Sequence, residues 1–331
     1  MDSTKRVLGA LAILALALCP LRAAQQEQYR ERETLDPATD QWAPLDPSDA
    51  PAGALDQARS LLARGKPDAA AGALKTWVEE NPDDERYYEA VFLLGEAEFE
   101  DRDFYAAYLR YEEVVENTSG ELFQKALRRE IDVARAFLSG EKRILWKVFR
   151  LPAYDDGIEI LDRVWERGPG TRLGEAALRL KADYYFETGE MGLAQDEYAH
   201  LAREYPSGRY VRLALLRSAE AAAAAFPGVE FDDRALLEAE ARYEQVRSAF
   251  PVYAEQERIE DRLAGIRQQR AAKDFAVARW YERVNQAGAA EFYYRQVLRD
   301  WPDTTQAAEA RSRLRGLGIE AGSAPEQESG S

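Results

Sequence analysis

The sequence predicts an all-helical protein built from consecutive helix pairs. Three observations carry that expectation: prolines that close recurring blocks, a fixed register of small and large apolar residues before each proline, and a second small residue twelve places earlier. The prolines are Pro82, Pro169, Pro206, Pro251 and Pro302. Twelve places before them stand Ala70, Gly157, Ala194, Ala239 and Ala290. Eight places before stand Leu74, Leu161, Tyr198, Tyr243 and Tyr294, and five before stand Trp77, Val164, Leu201, Val246 and Val297. A sixth register keeps Ala107, Tyr111 and Val114 but leads to Ser119 in place of a proline.

Spacings of four and three put each set on one helix face, with the small residue where a neighbouring backbone comes close. These are the second helices of the pairs. Ala58, Gly95, Ala182 and Ala278 mark the first helices, with Tyr185 or Tyr281 three places on. Proline stops a helix because it has no amide proton and clashes with the preceding turn. Asp303 with Gln306 then offers a capping box for one more helix.

The pattern is that of the tetratricopeptide repeat, whose period is about 34 residues, and the most regular copies here run to 37. The expected fold class is all-α: a tetratricopeptide-repeat superhelix of about five to six helix pairs with insertions. It should occupy residues 51–318. The third repeat carries an eleven-residue excess between Ala134 and Gly157, around EKRILWKVFRLPAYD. A second excess spans Phe226 to Asp233, and a long polar helix from Ala254 to Glu282 precedes the last repeat.

The ends read differently. Lys5 and Arg6 precede an apolar or glycine run from Val7 to Leu18, followed by Cys19-Pro20 and Ala23-Ala24. Residues 1–24 therefore read as a secretion signal. A membrane-crossing helix needs about 17–25 apolar residues, so this run is short for a permanent span; an uncleaved anchor is the other reading. Cys19 is the one cysteine of the chain, which excludes an intrachain disulfide. Its place after Leu16 and Ala17 suggests a lipobox, in which the thiol is acylated. Leu18 and Pro20 depart from that pattern, and simple cleavage near Ala23 or Ala24 is the competing reading. Residues 25–50 are polar and proline-punctuated, as in a disordered tether, and 319–331 read as a disordered tail.

Charge narrows the partners. The chain of 331 residues carries a net charge of -16 with a pI near 4.8. Without residues 1–24, 41 basic and 59 acidic side chains remain, a charge of -18. Such a surface repels nucleic acid. With one histidine and one cysteine there is no Cys/His nucleophile pair and no soft ligand set for zinc. No catalytic residue, cofactor-binding residue or metal ligand is expected.

His200 reads as an exposed residue beside the core stripe. Gly168-Pro169-Gly170-Thr171-Arg172-Leu173-Gly174 lacks the Gly-Lys-Ser/Thr ending of a phosphate loop and reads as a repeat boundary. Asp83-Asp84, Asp155-Asp156 and Asp232-Asp233 fall at helix starts, where carboxylates satisfy free amides. The aromatic pairs Tyr87-Tyr88, Tyr184-Tyr185, Trp280-Tyr281 and Phe292-Tyr293-Tyr294 read largely as repeat core. Function is then binding on a concave surface. Repeat geometry assigns Glu89, Phe92, Glu96, Phe99, Arg128, Ile131 and Arg135 to its lining.

The last repeat, FAVARWYERVNQAGAAEFYYRQVLRDWPDTTQAAEA, together with EYPSGRYVRLALLR, resembles the BamD family of outer-membrane protein assembly lipoproteins over roughly residues 50–316. The segment Ala276 to Tyr281, the boundary Arg299 to Thr304 and the third-repeat insertion are its most specific elements. The resemblance implies a periplasmic subunit held by a lipid at the inner face of the outer membrane, the membrane being met only through that anchor. It would dock on the POTRA domains of the barrel-forming assembly protein and receive unfolded β-barrel clients. It places client binding on the N-terminal repeats and partner binding near Arg262, Arg267 and Arg270, although the family's basic residue before the last repeat aligns near Gln269. A generic periplasmic repeat adaptor in envelope or cell-division machinery is the alternative.

Overall fold

The computed structural model describes residues 33–36, 41–44, 51–145, 149–228 and 232–319. The expected signal with Cys19, much of the expected tether and the expected tail from residue 320 lie outside the described residues. Contacts divide the chain into two compact units. One ends at Arg129 and includes Arg143–Phe149; the other comprises Glu130–Lys142 and continues from Arg150.

In the first unit, within the stretch expected as a tether, strands β1 (Glu33–Asp36) and β2 (Gln41–Pro44) pair antiparallel, with Thr34 opposite Ala43. Helices α1 (Pro51–Ala63), α2 (Pro67–Glu80), α3 (Tyr87–Glu100) and α4 (Phe104–Asn117) follow. Helix α5 (Gly120–Leu138) begins here and continues into the second unit. The third-repeat excess folds as two short strands, β3 (Lys142–Leu145) and β4 (Phe149–Pro152). The second unit continues with α6 (Tyr154–Arg167), α7 (Arg172–Thr188), α8 (Met191–Glu204), α9 (Val211–Ala224) and α10 (Arg234–Ala249). It closes with the short α11 (Pro251–Gln256), then α12 (Ile259–Arg283), α13 (Ala287–Asp300) and α14 (Thr305–Gly316). The described helices thus form the tetratricopeptide-type array that the register predicts.

Two kinds of stop alternate along it. Helix α9 ends on Ala225 in the right-handed region (φ -72°), but five first helices end on a left-handed residue: Gly65 (φ 66°), Arg102 (65°), Gly140 (101°), Gly189 (83°) and Asn285 (57°). The next residue's N–H then reaches back to a carbonyl inside the helix. Lys66 donates to Leu61 at 3.0 Å, Asp103 to Glu98 at 2.9 Å, Glu141 to Ala136 at 3.1 Å, Glu190 to Tyr185 at 2.9 Å and Gln286 to Tyr281 at 3.0 Å. This Schellman closure satisfies an orphan carbonyl and turns the chain within about three residues.

Second helices end on the residue before proline, which the proline ring keeps out of the helical region. Asn81 (φ -128°, ψ 53°), Gly168 (-127°, 49°), Tyr205 (-125°, 63°), Phe250 (-138°, 66°) and Trp301 (-131°, 50°) share one conformation. At four of these boundaries a β-turn follows, with proline in second place: N–H groups of Asp84, Thr171, Gly208 and Thr304 donate to the carbonyls of Asn81, Gly168, Tyr205 and Trp301 at 2.9–3.3 Å. Thr118, with no proline after it, is simply extended (φ -127°, ψ 175°).

Two local expectations are corrected. The cap of α14 is Thr304, not Asp303: its hydroxyl accepts from the Ala307 N–H at 3.2 Å and donates to the Trp301 carbonyl at 2.7 Å. The turn carries the chain one residue further before the helix starts. The long helix begins at Ile259 and not Ala254, because Arg258 takes a left-handed conformation (φ 54°) that separates α11 from α12.

All six predicted register sets are buried. In α3 the small position is Gly95, where a Cβ would stand 2.7 Å from Tyr111 Cε1. The large position, when tyrosine, must satisfy its hydroxyl. Tyr111, Tyr198 and Tyr294 donate to Glu96, Asp183 and Glu282 at 2.7, 2.6 and 2.5 Å, carboxylates on the preceding helix. Burial, reinforced by the adjacent carboxylate, holds each of these phenols protonated well beyond the usual range.

Two predictions follow from this packing. Gly95→Ala gains about 1 kcal/mol of helix propensity but overpacks a tyrosine with no room to retreat, a cost of about 1–3 kcal/mol. Its urea midpoint should therefore fall, whereas Gly72→Ala, where a Cβ meets nothing within 4 Å, should raise it. An unchanged midpoint for Gly95→Ala would contradict the close approach.

The second concerns alkali. An unfolded phenol releases its proton near pH 10 while these buried ones retain theirs, so stability is steady below pH 10 and falls above it by about 1.4 kcal/mol per pH unit for each phenol. Urea unfolding of Tyr198→Phe between pH 9 and 11 should show a slope shallower than that of the parent by about that amount.

Candidate interaction surfaces

In the first unit the predicted lining residues of α3 are bound into a network. Phe92 packs on Tyr111 with ring centroids 5.6 Å apart, and Phe99 meets Phe104 edge-on at 5.0 Å. Arg129 places its guanidinium 4.0 Å from the Phe99 centroid and its Nε 2.6 Å from Glu96, which also accepts from Tyr111. Burial opposes the Arg129 charge, yet the Tyr111 and Glu96 oxygens raise its pKa above the ordinary arginine value. Glu89 is paired with Arg59. Each of Glu89, Phe92, Glu96 and Phe99 is half-buried.

On α5, Arg128 is exposed, and so is Arg135, which pairs with Asp132 at 2.7 Å. Ile131 does not line a surface: it is 4% exposed, because it continues the buried stripe of Leu127 and Ala134. The residue that joins the α3 network is Arg129, adjacent to Arg128 and rotated from it by about 100°. Its signal was the aromatic pair Phe99 and Tyr111, over which an arginine stacks.

In the second unit, two of the three candidate arginines on α12 serve the fold. Arg262 pairs with Glu220 at 2.6 Å and lies 5.9 Å from the Tyr243 ring. Arg270 pairs with Glu240 at 2.7 Å and Asp233 at 3.4 Å and covers Trp301 at 4.8 Å. Asp233 also receives Lys273 at 3.2 Å; burial works against its charge, but Lys273 and Arg270 together keep its carboxyl below the usual range. Arg267 is exposed, with only a long contact of 3.9 Å to Glu260.

The most open aromatic surface lies on α12 and α13. Trp280 meets Tyr281 edge-on at 4.8 Å, Tyr281 stacks on Tyr293 at 5.1 Å and 7°, and Phe292 meets Tyr293 edge-on at 5.3 Å. The two ends of this ladder face water: Trp280 is 49% and Phe292 61% exposed, with Val284 beside them at 43%. Arg279 and Arg283, both exposed, form no ion pair among the described residues. Of the aromatic groups expected in the core, Tyr294 is buried, Tyr281 and Tyr293 are half-buried, and Trp280 and Phe292 are left out of it.

A cleft of about 680 Å³ lies between two boundary turns and is lined by Gly170, Thr171, Arg172, Glu175, Tyr205 and Arg209. Two of its polar pairs are closed: the Gly170 N–H donates to the Tyr205 hydroxyl at 3.2 Å and the Tyr210 N–H to Glu175 at 2.9 Å. A buried carboxylate in its wall disfavours phosphate. His200 packs edge-on against Trp165 at 4.9 Å. Among the described residues no group of three or more His, Cys, Asp or Glu side chains could hold a metal ion, and no helix is long and apolar enough to cross a membrane.

No family model and no curated protein matches the chain. Solved structures with a similar course include the C-terminal part of a tetratricopeptide repeat-containing protein from Cytophaga hutchinsonii. It is 13% identical, with 79% of this chain and 87% of that one covered at a TM-score of 0.39. A thermophilic tetratricopeptide protein from Thermus thermophilus is 18% identical over 66% of this chain and 98% of its own, at a TM-score of 0.29. The fold assignment rests on the register, stops and packing of this chain. A protein-binding scaffold is the function class that fits it.

The arginines separate by substitution. Arg270→Ala leaves Glu240 without its cation and Asp233 with Lys273 alone, and should lower stability on the order of 2 kcal/mol, while Arg267→Ala should change it by less than about 0.5 kcal/mol. Thermal unfolding of both variants checks this, and equal losses would refute the distinction.

Proposed function

We propose that this protein is a non-enzymatic periplasmic scaffold of the BamD type, which binds a POTRA-containing barrel assembly protein and unfolded β-barrel clients at the inner face of the outer membrane. One observation carries the reading. The last-repeat segment that resembles the family, Phe275 to Ala310, is the segment that presents Trp280, Val284 and Phe292 to solvent. Large exposed aromatics contribute little to a helix pair and are enriched at the centres of protein interfaces. The basic, apolar leader supports export, and Cys19 offers the point of lipid attachment.

Affinity isolation of the full chain from envelope membranes should recover a POTRA-containing barrel protein. Trp280→Ser with Phe292→Ser should weaken that capture by about tenfold or more without lowering the melting temperature appreciably, since both side chains stand outside the core. Mass spectrometry of the mature N-terminus should find acylated Cys19, lost in Cys19→Ser. Recovery of a freely soluble chain with no POTRA protein would overturn the reading and favour a generic periplasmic adaptor.

A further inference from the structure

A second open feature of the second unit has a different chemistry. Helices α6, α7 and α8 enclose a pocket of about 350 Å³ lined by Tyr154, Tyr184, Tyr185, Ile158 and Leu193 together with Asp155, Glu159, Asp162 and Glu190. Tyr154 and Tyr184 stack with centroids 6.2 Å apart and 23° between planes, and Tyr184 meets Tyr185 at 5.7 Å. Leu193, at 46% exposed, forms an apolar lip. No cation lines the pocket.

Two of its four carboxylates are neutralised from outside. Glu159 pairs with Arg163 at 2.7 Å and Asp162 with Lys181 at 2.8 Å, Lys181 being shared with Glu197 at 2.9 Å. Asp155 and Glu190 have no ion pair among the described residues; Glu190 meets only the Thr188 hydroxyl, at 3.5 Å. Helix capping does not account for Glu190, which stands at the N-cap of α8 without a side-chain cap bond. Burial first, then the Glu190 and Asp155 charges, raise the Tyr184 phenol above its ordinary value, so both carboxylates act on the same ring.

An anion is repelled here, and the carboxylates do not gather into a group of three or more that could hold a metal ion among the described residues. A cation is favoured twice, by the negative ring faces and by the two unneutralised charges. A planar guanidinium uses both, stacking on a ring while its N–H fork engages a carboxylate. We propose that this pocket takes an arginine side chain presented by an extended basic segment of a partner protein. The inference rests on α6–α8 and does not depend on the reading of the last repeat.

The test uses the ¹⁵N-labelled full chain titrated with the peptide acetyl-Gly-Leu-Arg-Leu-Gly-amide, and with the same peptide carrying citrulline, the neutral isostere of arginine. The arginine peptide should shift the amides of Tyr154, Tyr184, Tyr185 and Glu190 saturably and bind about tenfold more tightly than the citrulline peptide. Asp155→Asn with Glu190→Gln should abolish that difference, while Glu79→Gln with Glu80→Gln, an equal charge change on exposed residues of α2, should preserve it. Tyr184→Ala should weaken binding and Tyr184→Phe retain it; should Tyr184→Ala fail to fold, the exposed carboxylate pair decides. Equal binding of the citrulline peptide, shifts confined to other residues, or equal loss in the α2 control would overturn the proposal.

Discussion

Close approach of the two helices in each pair is the constraint on which the other features depend. A small residue on the first helix stands sixteen places before a large one on the second: Ala58 and Leu74, Gly95 and Tyr111, Ala182 and Tyr198, Ala278 and Tyr294. Each pair shares a buried cluster or touches directly. Bringing the backbones this near excludes water, so a tyrosine at the large position cannot leave its hydroxyl unpaired without a desolvation cost of about 1–3 kcal/mol. A carboxylate from the first helix therefore accompanies Tyr111, Tyr198 and Tyr294, while Tyr243 is met by Arg262 from α12. The same geometry demands two different stops: a Schellman turn that folds the pair shut, and a proline turn that releases the chain toward the next pair.

Electrostatics follow from that packing. Carboxylates drawn in beside the phenols need cations, and arginines and lysines are spent inward: Arg129 on Glu96, Arg262 on Glu220, Arg270 on Glu240, Lys181 on Asp162 and Glu197. Glu98, buried between α3 and its neighbours, holds Lys75 at 3.1 Å and Arg110 at 3.6 Å. Such pairs add little net stability, because desolvation offsets attraction, yet breaking one leaves a charge stranded. They serve register, since a helix that slips loses its partners. In a chain of charge -16, committing cations to the interior leaves the outside acidic, and exposed unpaired arginines such as Arg279 and Arg283 stand out against that background.

What was legible in the sequence is what repeats. The register sets, the proline stops and the small first-helix positions could be read because one physical requirement recurs with constant spacing: the register and small positions are buried, and the prolines stand exposed at the turns that follow. The failures are positions where one local event overrides the period. Repeat geometry assigns Ile131 to the concave lining with Arg128 and Arg135, but α5 turns its Leu127, Ile131 and Ala134 stripe inward. The α11–α12 break at Arg258 has neither glycine nor proline to announce it. Strands β3 and β4 lie in an insertion that no repeat register governs. Pairing partners such as Glu220 for Arg262 are 42 residues away in the sequence, a distance over which a single chain read by eye carries no signal.

Function in such an array belongs to residues the fold does not require. The repeat fixes the small, the large and the turn positions, and internal ion pairs account for many of the charges, so the informative side chains are those with neither role. In the second unit these collect in two places of opposite character. Trp280 and Phe292 end an aromatic ladder beside unpaired arginines; Tyr154 and Tyr184 stack beside unpaired carboxylates. Neither arrangement would be produced by packing alone, since exposed aromatic rings give up burial and unpaired charges give up partners. One apolar, arginine-flanked face and one acidic, tyrosine-lined pocket are surfaces of opposite chemistry, which the two proposals assign to chemically different segments, and a plain stack of helix pairs would offer neither.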